Sequence, residues 1–264
     1  MSDLKTLLRG LGLFVTSSTL DEIVALATKK RWGPIELLEH VAGLEDKDRA
    51  RRGLDRRMSR SRLEKFKPVA DFDWDWPTAI NRTLIEGLLT LDFMDGARNV
   101  VFVAPGGLGK TMLAQNIAHR AILAGRSVLF LTTAQLLLDL GAQESARALD
   151  RRLRYYANVG LLVLDEVGYL AFDNRNADLL FQVVSRRYEK KSLVMTTNLS
   201  FKQWNTIFPT ATCAHALIER VVHHADVVKI EGESYRLRES ELAATKRDAT
   251  TKSKKTKPKP NDDG

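Results

Sequence analysis

The stretch "APGGLGKT", residues 104–111, carries the residue types needed to hold a phosphate. Glycines at 106, 107 and 109 permit a tight turn whose successive backbone N–H groups point inward as an anion nest, and a helix starting just after it adds its positive end. Lys110 would reach the β- and γ-phosphates of a nucleoside triphosphate, and the Thr111 hydroxyl would ligate Mg²⁺. The general pattern, G-x-x-x-x-G-K-[ST], has glycine where this chain has Ala104. One extra methyl where the chain leaves a strand is expected to be tolerated, because positive φ and close approach to phosphate fall on later positions. The residues offered to the nucleotide are Pro105, Gly106, Gly107, Leu108, Gly109, Lys110, Thr111 and Met112.

A second half follows 55 residues after Lys110, where "GLLVLDEVGYL" puts Asp165 and Glu166 at the end of an apolar run. Open α/β sheets bind ligands at the carboxyl ends of their strands. There Asp165 would hold Mg²⁺, and Glu166 would orient and polarise an attacking water. A third run, "SLVMTTN", ends in Asn198, which is either an ordinary turn residue or an amide that senses the γ-phosphate. In "ALIERVVHHA", Arg220 shares a helix with Leu217, Ile218, Val221 and Val222, and could either form a salt bridge around Glu219 or reach a neighbouring subunit's nucleotide as a finger. His223 and His224 are adjacent, so they are expected to face different directions and to be structural rather than metal ligands.

These residues need a frame, and the hydrophobic pattern supplies one. Short continuous apolar runs at 100–103, 128–132, 161–165, 193–197 and 227–230 read as strands covered on both faces, which implies a parallel sheet. Helices are expected at 110–123, 146–156, 178–190 and 215–225, giving a doubly wound α/β domain with a five-stranded parallel sheet between helices.

The flanks differ from this middle. Residues 1–67 hold 15 Lys/Arg against 10 Asp/Glu and residues 246–264 hold 7 against 3, so the net charge of +8 lies on the two ends. Such asymmetry points to a polyanionic partner. Residues 1–70 read as a small helical domain in which Thr19 and Glu22 have capping-box spacing, with a turn at Gly33-Pro34. The run from 46 to 67 carries ten basic residues, and helical spacing puts Arg49, Arg52, Arg56 and Arg60 in one stripe opposite Leu54 and Met58. That stripe is either a solvated face or a surface for the phosphate backbone. "PVADFDWDWP" reads as a linker whose rings pack on a neighbouring domain, so a 71–240 domain follows it. The tail 241–264 has almost nothing to bury and is expected to be disordered. A lone cysteine, Cys213, excludes an intramolecular disulfide framework. No apolar run reaches the roughly 20 residues of a bilayer span. A cytoplasmic protein is expected.

The segments "FVAPGGLGKTMLAQNIA", "LLVLDEVGYL", "MTTNLSFKQW" and "IERVVHHADVVKIEGESYRLRE" together resemble the IstB-like helper ATPases of bacterial insertion sequences. They also resemble the DnaC-type helicase loaders, and both groups belong to the initiator branch of the AAA+ ATPases. The resemblance implies an AAA+ P-loop NTPase, with Gly106 to Thr111 as the Walker A loop, Asp165 and Glu166 as Walker B, and Asn198 as sensor 1. It makes Arg220 the arginine finger, with Arg236 as the weaker alternative. It assigns the span after the second strand to DNA contact inside an oligomer, with Arg147, Arg151, Arg152 and Arg154 as candidate phosphate contacts. Leu108 departs from the small hydroxyl residue usual in the family. ATP and Mg²⁺ are the implied cofactors, and duplex DNA, a transposase and further copies of the chain, as a ring or filament, the implied partners. The function implied is an ATP-dependent helper that assembles on duplex DNA, selects a transposition target, recruits or stimulates the transposase, and disassembles on hydrolysis. The alternatives are a DnaC-like replicative helicase loader, a small-molecule kinase and a nonhydrolysing module.

Overall fold

The computed structural model describes residues 2–169, 171–208 and 210–238, and the expected disordered tail at 241–264 lies outside them. The chain divides into two compact units, Met1–Arg60 and Ser61–Gly264. Residues 61–70, assigned from sequence to the helical N-terminal part, therefore pack with the second unit. Asn116 is one reason, since its side chain accepts from the Val69 N–H at 2.9 Å and donates to the Lys67 carbonyl at 3.0 Å.

The first unit contains helices α1 (Ser2–Gly10), α2 (Phe14–Ser18), α3 (Leu20–Lys30) and α4 (Pro34–Ser61), the last ending one residue past the division. The capping box at Thr19 does not form. Its hydroxyl donates back to the Val15 carbonyl at 2.9 Å, closing α2, and makes no side-chain cap on α3. Two helices compete for one hydroxyl, and the earlier one takes it. Pro34 sits in the first turn of α4, where its missing N–H costs nothing, and Glu36 accepts from the Gly33 N–H at 2.7 Å. The arginine run continues this same 28-residue helix.

The second unit adds β1 (Ala79–Ile80), α5 (Arg82–Leu88), α6 (Asp92–Asp95), β2 (Asn99–Val103), α7 (Lys110–Leu123), β3 (Val128–Thr132), α8 (Thr133–Gly141), α9 (Ala146–Asn158), β4 (Leu161–Val167), α10 (Asn174–Arg187), β5 (Ser192–Thr197), α11 (Ala211–Val222) and β6 (Ala225–Glu231). Among the described residues the sheet has the order β1-β6-β2-β5-β4-β3. All neighbours are parallel except β1, a two-residue edge strand antiparallel to β6 and too short for periodicity to reveal. Helix starts are set by caps that apolar spacing does not register. Asp173 accepts from Asn176 N–H at 2.6 Å and Thr210 from Cys213 N–H at 3.2 Å, so α10 and α11 each begin four residues before the expected start.

One buried arginine ties the far end of this domain together. Arg187, 1% exposed, donates to the carbonyls of Tyr156 (2.6 Å), Val159 (2.8 Å), Ala157 (3.3 Å), Gly160 (3.4 Å) and Ser192. It thereby satisfies the exposed end of α9, which has no helical partner for its last carbonyls. Burial pulls its guanidinium down to about 9, still a cation at neutral pH. Arg187→Met, which keeps the volume but strands these carbonyls, is expected to lower stability by about 3 kcal/mol. Urea unfolding followed by circular dichroism would measure the loss.

Candidate active site

The C-terminal ends of β2, β4 and β5 open on one cavity of about 460 Å³. Gly106 to Met112 line one side of it, and Glu166, Thr196, Thr197, Asn198 and Arg236 line another. Gly107 and Gly109 both have φ +81°, the left-handed region that side chains resist. A Cβ on Gly107 would collide with the Ser234 hydroxyl, and one on Gly109 would lie 2.5 Å from the Phe72 ring. Gly106 has neither constraint. Ala104 is 2% exposed, lacks a positive φ and donates its N–H to the Thr197 carbonyl at 3.2 Å. Its methyl is absorbed into the core. Leu108 likewise turns inward, 3% exposed.

Lys110 opens α7 and donates to the carbonyls of Ala104 (2.6 Å) and Pro105 (2.7 Å). Burial lowers its ammonium pKa, Asp165 and Glu166 oppose that shift, and Arg236 adds to it. The adjoining Thr111 hydroxyl lies 3.1 and 3.0 Å from the two Asp165 carboxylate oxygens. Thr196 donates to the same carboxylate from β5, and Thr133 donates to the Asp165 carbonyl at 3.1 Å. Adjacent oxygens in an octahedron of 2.0–2.1 Å metal bonds lie about 3 Å apart, so Thr111 and Asp165 fit as neighbouring Mg²⁺ ligands.

The β4–β5 register breaks between Leu164 and Val167. At that irregularity Glu166 adopts φ +60°, a conformation costing a non-glycine residue about 1–2 kcal/mol. Its N–H donates to the Thr196 hydroxyl at 3.0 Å. Asp165 is buried while the next side chain, Glu166, lines the cavity. Thr196 thus fixes both acidic residues. Sequence reading missed it, although its place two residues before Asn198 on an apolar strand was the available signal.

The linker rings and the segment after β6 form an aromatic strap, a pairing the sequence did not indicate. The linker rings pack on the domain that follows them, and the surface they cover is the phosphate loop itself. Trp76 donates its indole N–H to the Glu233 carbonyl at 2.9 Å and meets Tyr235 edge-on at 6.1 Å. Tyr235 N–H donates to the Gly107 carbonyl at 3.1 Å. Arg238 lies over Trp76 at 4.3 Å and pairs with Asp73 at 3.3 Å. Phe72, Trp76 and Tyr235 give the cavity an apolar wall of the kind that stacks a purine.

The arginines divide. Arg236 lines the cavity of its own chain, whereas Arg220 is outside that lining, its guanidinium 4.4 Å from the Phe181 ring and bonded to the Ser185 hydroxyl. Arg49, Arg56, Arg60, Arg147 and Arg151 are exposed. Arg52 differs from them, because it pairs with Asp48 at 2.6 Å and lies 4.6 Å over Phe14. Arg152 is likewise consumed, held by Asp139 and stacked on Tyr155 and Tyr156. Arg154 pairs with Asp150 at 2.6 Å but keeps 70% of its side chain exposed.

A parallel sheet with a phosphate loop after β2 and an acidic pair ending β4 defines an α/β P-loop fold of the AAA+ type. Two solved structures share it: DnaI, with TM-score 0.50 and 21% identity over 62% of this chain and 90% of that one, and domain III of the Thermotoga maritima replication initiation protein DnaA, with TM-score 0.51 and 19% identity over 64% and 69%. The chain belongs to the family of IstB-like ATP-binding proteins, whose model matches residues 6–243. Relatives include a Pseudomonas aeruginosa protein named for ATP binding in insertion sequence IS21, 33% identical over 95% of each chain. Another is the Geobacillus stearothermophilus protein so named in IS5376, 35% identical over 80% of this chain and 84% of its own.

Gly109→Ala is expected to introduce about 1–2 kcal/mol of strain and to displace Phe72, weakening retention of a fluorescent ATP analogue in Mg²⁺. Gly106→Ala should leave stability unchanged. Thermal unfolding and nucleotide titration of the two variants would check the contrast.

Proposed function

We propose that this chain hydrolyses ATP to ADP and phosphate, and that it uses the cycle to assemble on and leave duplex DNA as a helper for a transposase. The observation that carries the reading is the bonded set Thr111–Asp165–Thr196–Glu166 beside the glycine nest. In this reading the loop amides and Lys110 grip the β- and γ-phosphates, and the amide of Asn198 marks the γ-phosphate position. The Glu166 carboxylate accepts a proton from the water that attacks phosphorus. A magnesium ion held by Thr111 and Asp165 would neutralise charge on the phosphate oxygens.

Arg220 is the residue assigned to act in trans. Its anchorage on Phe181 and Ser185, outside the lining of its own cavity, favours supply to a second copy of the chain, and Arg236 is then assigned to its own nucleotide. ATP between two copies would bind the assembled state more strongly than the separated one, so hydrolysis would loosen it. The exposed arginines on α4 and α9 supply phosphate contacts that ignore base sequence, with Arg52 and Arg152 removed from that set. Relatives named for insertion sequences favour the transposition role over the helicase loader.

Glu166→Gln removes the proton acceptor and keeps the shape, so ATP-dependent complexes on duplex DNA should persist after the unchanged protein has dissociated. Gel filtration with DNA and ATP reads the outcome, and turnover and DNA retention both equal to those of the unchanged chain would sink the mechanism. Thr196→Val should slow phosphate release by about 10–100-fold, the usual effect of losing a group that orients a ligand, while leaving binding of the ATP analogue near normal.

A further inference from the structure

At the end of the sheet away from the phosphate loop, the C-termini of α10 and α11 meet. β5 separates the two places, since Glu189 precedes it and Asn198 follows it, a distance of roughly 20 Å along six residues. Glu189, His223 and His224 each offer one metal-ligand atom here, and the three atoms lie within 4.8 Å of one another. The expectation that the adjacent histidines diverge fails. His223 caps α11 and the chain then turns into β6, so the two side chains do not keep a helix's 100° separation, and their ring centroids lie 4.0 Å apart. The backbone of His224 is pinned in that turn by Asn99 N–H, which donates to its carbonyl at 2.7 Å.

Three further observations point to a built site. The Tyr188 hydroxyl and His223 Nδ1 are 2.8 Å apart, which orients the ring and leaves Nε2 for another partner. Glu189 has φ +58°, at a helix end where glycine is the usual occupant, and its carboxylate lies 3.4 Å from His224 Nε2. Two helix C-termini also direct their negative ends here, which favours a cation. Lys190, Lys191 and Arg220 are the nearby positive charges and oppose it. Two imidazoles with one carboxylate match zinc, cobalt or nickel, whereas Mg²⁺ and Ca²⁺ take oxygen ligands.

We propose that Glu189, His223 and His224 bind one divalent transition-metal ion of the zinc class, which ties the end of α11 to the end of α10. Water would complete the coordination. The site is independent of the nucleotide reading, and Arg220 lies one turn before it on α11.

Equilibrium dialysis of the full chain against Zn²⁺, and separately Co²⁺, with ATP and Mg²⁺ in excess, should give one ion per chain, with visible cobalt bands. His223→Ala and His224→Ala should each abolish it, and Tyr188→Phe should weaken it about tenfold. Should those variants lose their circular dichroism, diethyl pyrocarbonate labelling of the unchanged chain replaces them, with Zn²⁺ expected to protect His223 and His224 but not His40. Zero bound ions, binding unaltered in folded alanine variants, or equal labelling with and without zinc would overturn the proposal.

Discussion

A single buried carboxylate organises the phosphate-loop end of this fold. Asp165 is 5% exposed, and it receives hydroxyls from Thr111 on α7 and Thr196 on β5 while its own carbonyl accepts from Thr133 on α8. A carboxylate taken from water without such partners costs several kcal/mol, so three elements must arrive in register around it. β4 and β5 pair directly, Leu162 with Leu193 and Val163 with Val194, and this pairing delivers Thr196 to the acid. A one-residue slip would send that hydroxyl to the opposite face of the sheet. The same hydroxyl accepts from Glu166 N–H, so the alignment that satisfies Asp165 also sets the backbone of its neighbour.

This dependence explains which parts were legible in the sequence. The apolar runs at 100–103 and 161–165 are buried on both faces, and burial alone forces strands there, so their pattern was readable without any partner in view. The phosphate loop was readable because its glycines answer a local backbone demand. Thr196 was not, because its importance comes from a residue 31 positions away on another strand. The surface under the strap was not legible for the same reason: Trp76 and Glu233 meet across 157 residues, and the alternation of acid and ring in "DFDWDWP" indicates packing without naming the surface.

Charge runs carry the opposite lesson. Helical spacing of three and four made Arg49, Arg52, Arg56 and Arg60 look alike, yet Asp48 and Phe14 single out Arg52 and leave the others exposed. On α9, Arg152 and Arg154 are two residues apart and point to different fates, the first held against Asp139 and two tyrosines and the second largely in solvent. Periodicity assigns a side chain to a face, but only tertiary partners decide whether its charge is spent. Arg187 is the extreme case, a buried cation whose two terminal nitrogens are spent on backbone carbonyls, out of reach of a polyanion.

The strap shows how distant segments acquire a common site. The Trp76 indole, the Glu233 carbonyl, the Tyr235 N–H and the Gly107 carbonyl form a chain of contacts from the linker, through the segment after β6, to the phosphate loop. Gly107 can accept this neighbour only because it lacks a Cβ, which would collide with Ser234. The positive φ at Gly107 therefore answers two needs, the nest geometry and the close approach of residues 234–235. The end of the domain and its beginning thus line one cavity together, although neither contains a phosphate-binding motif of its own.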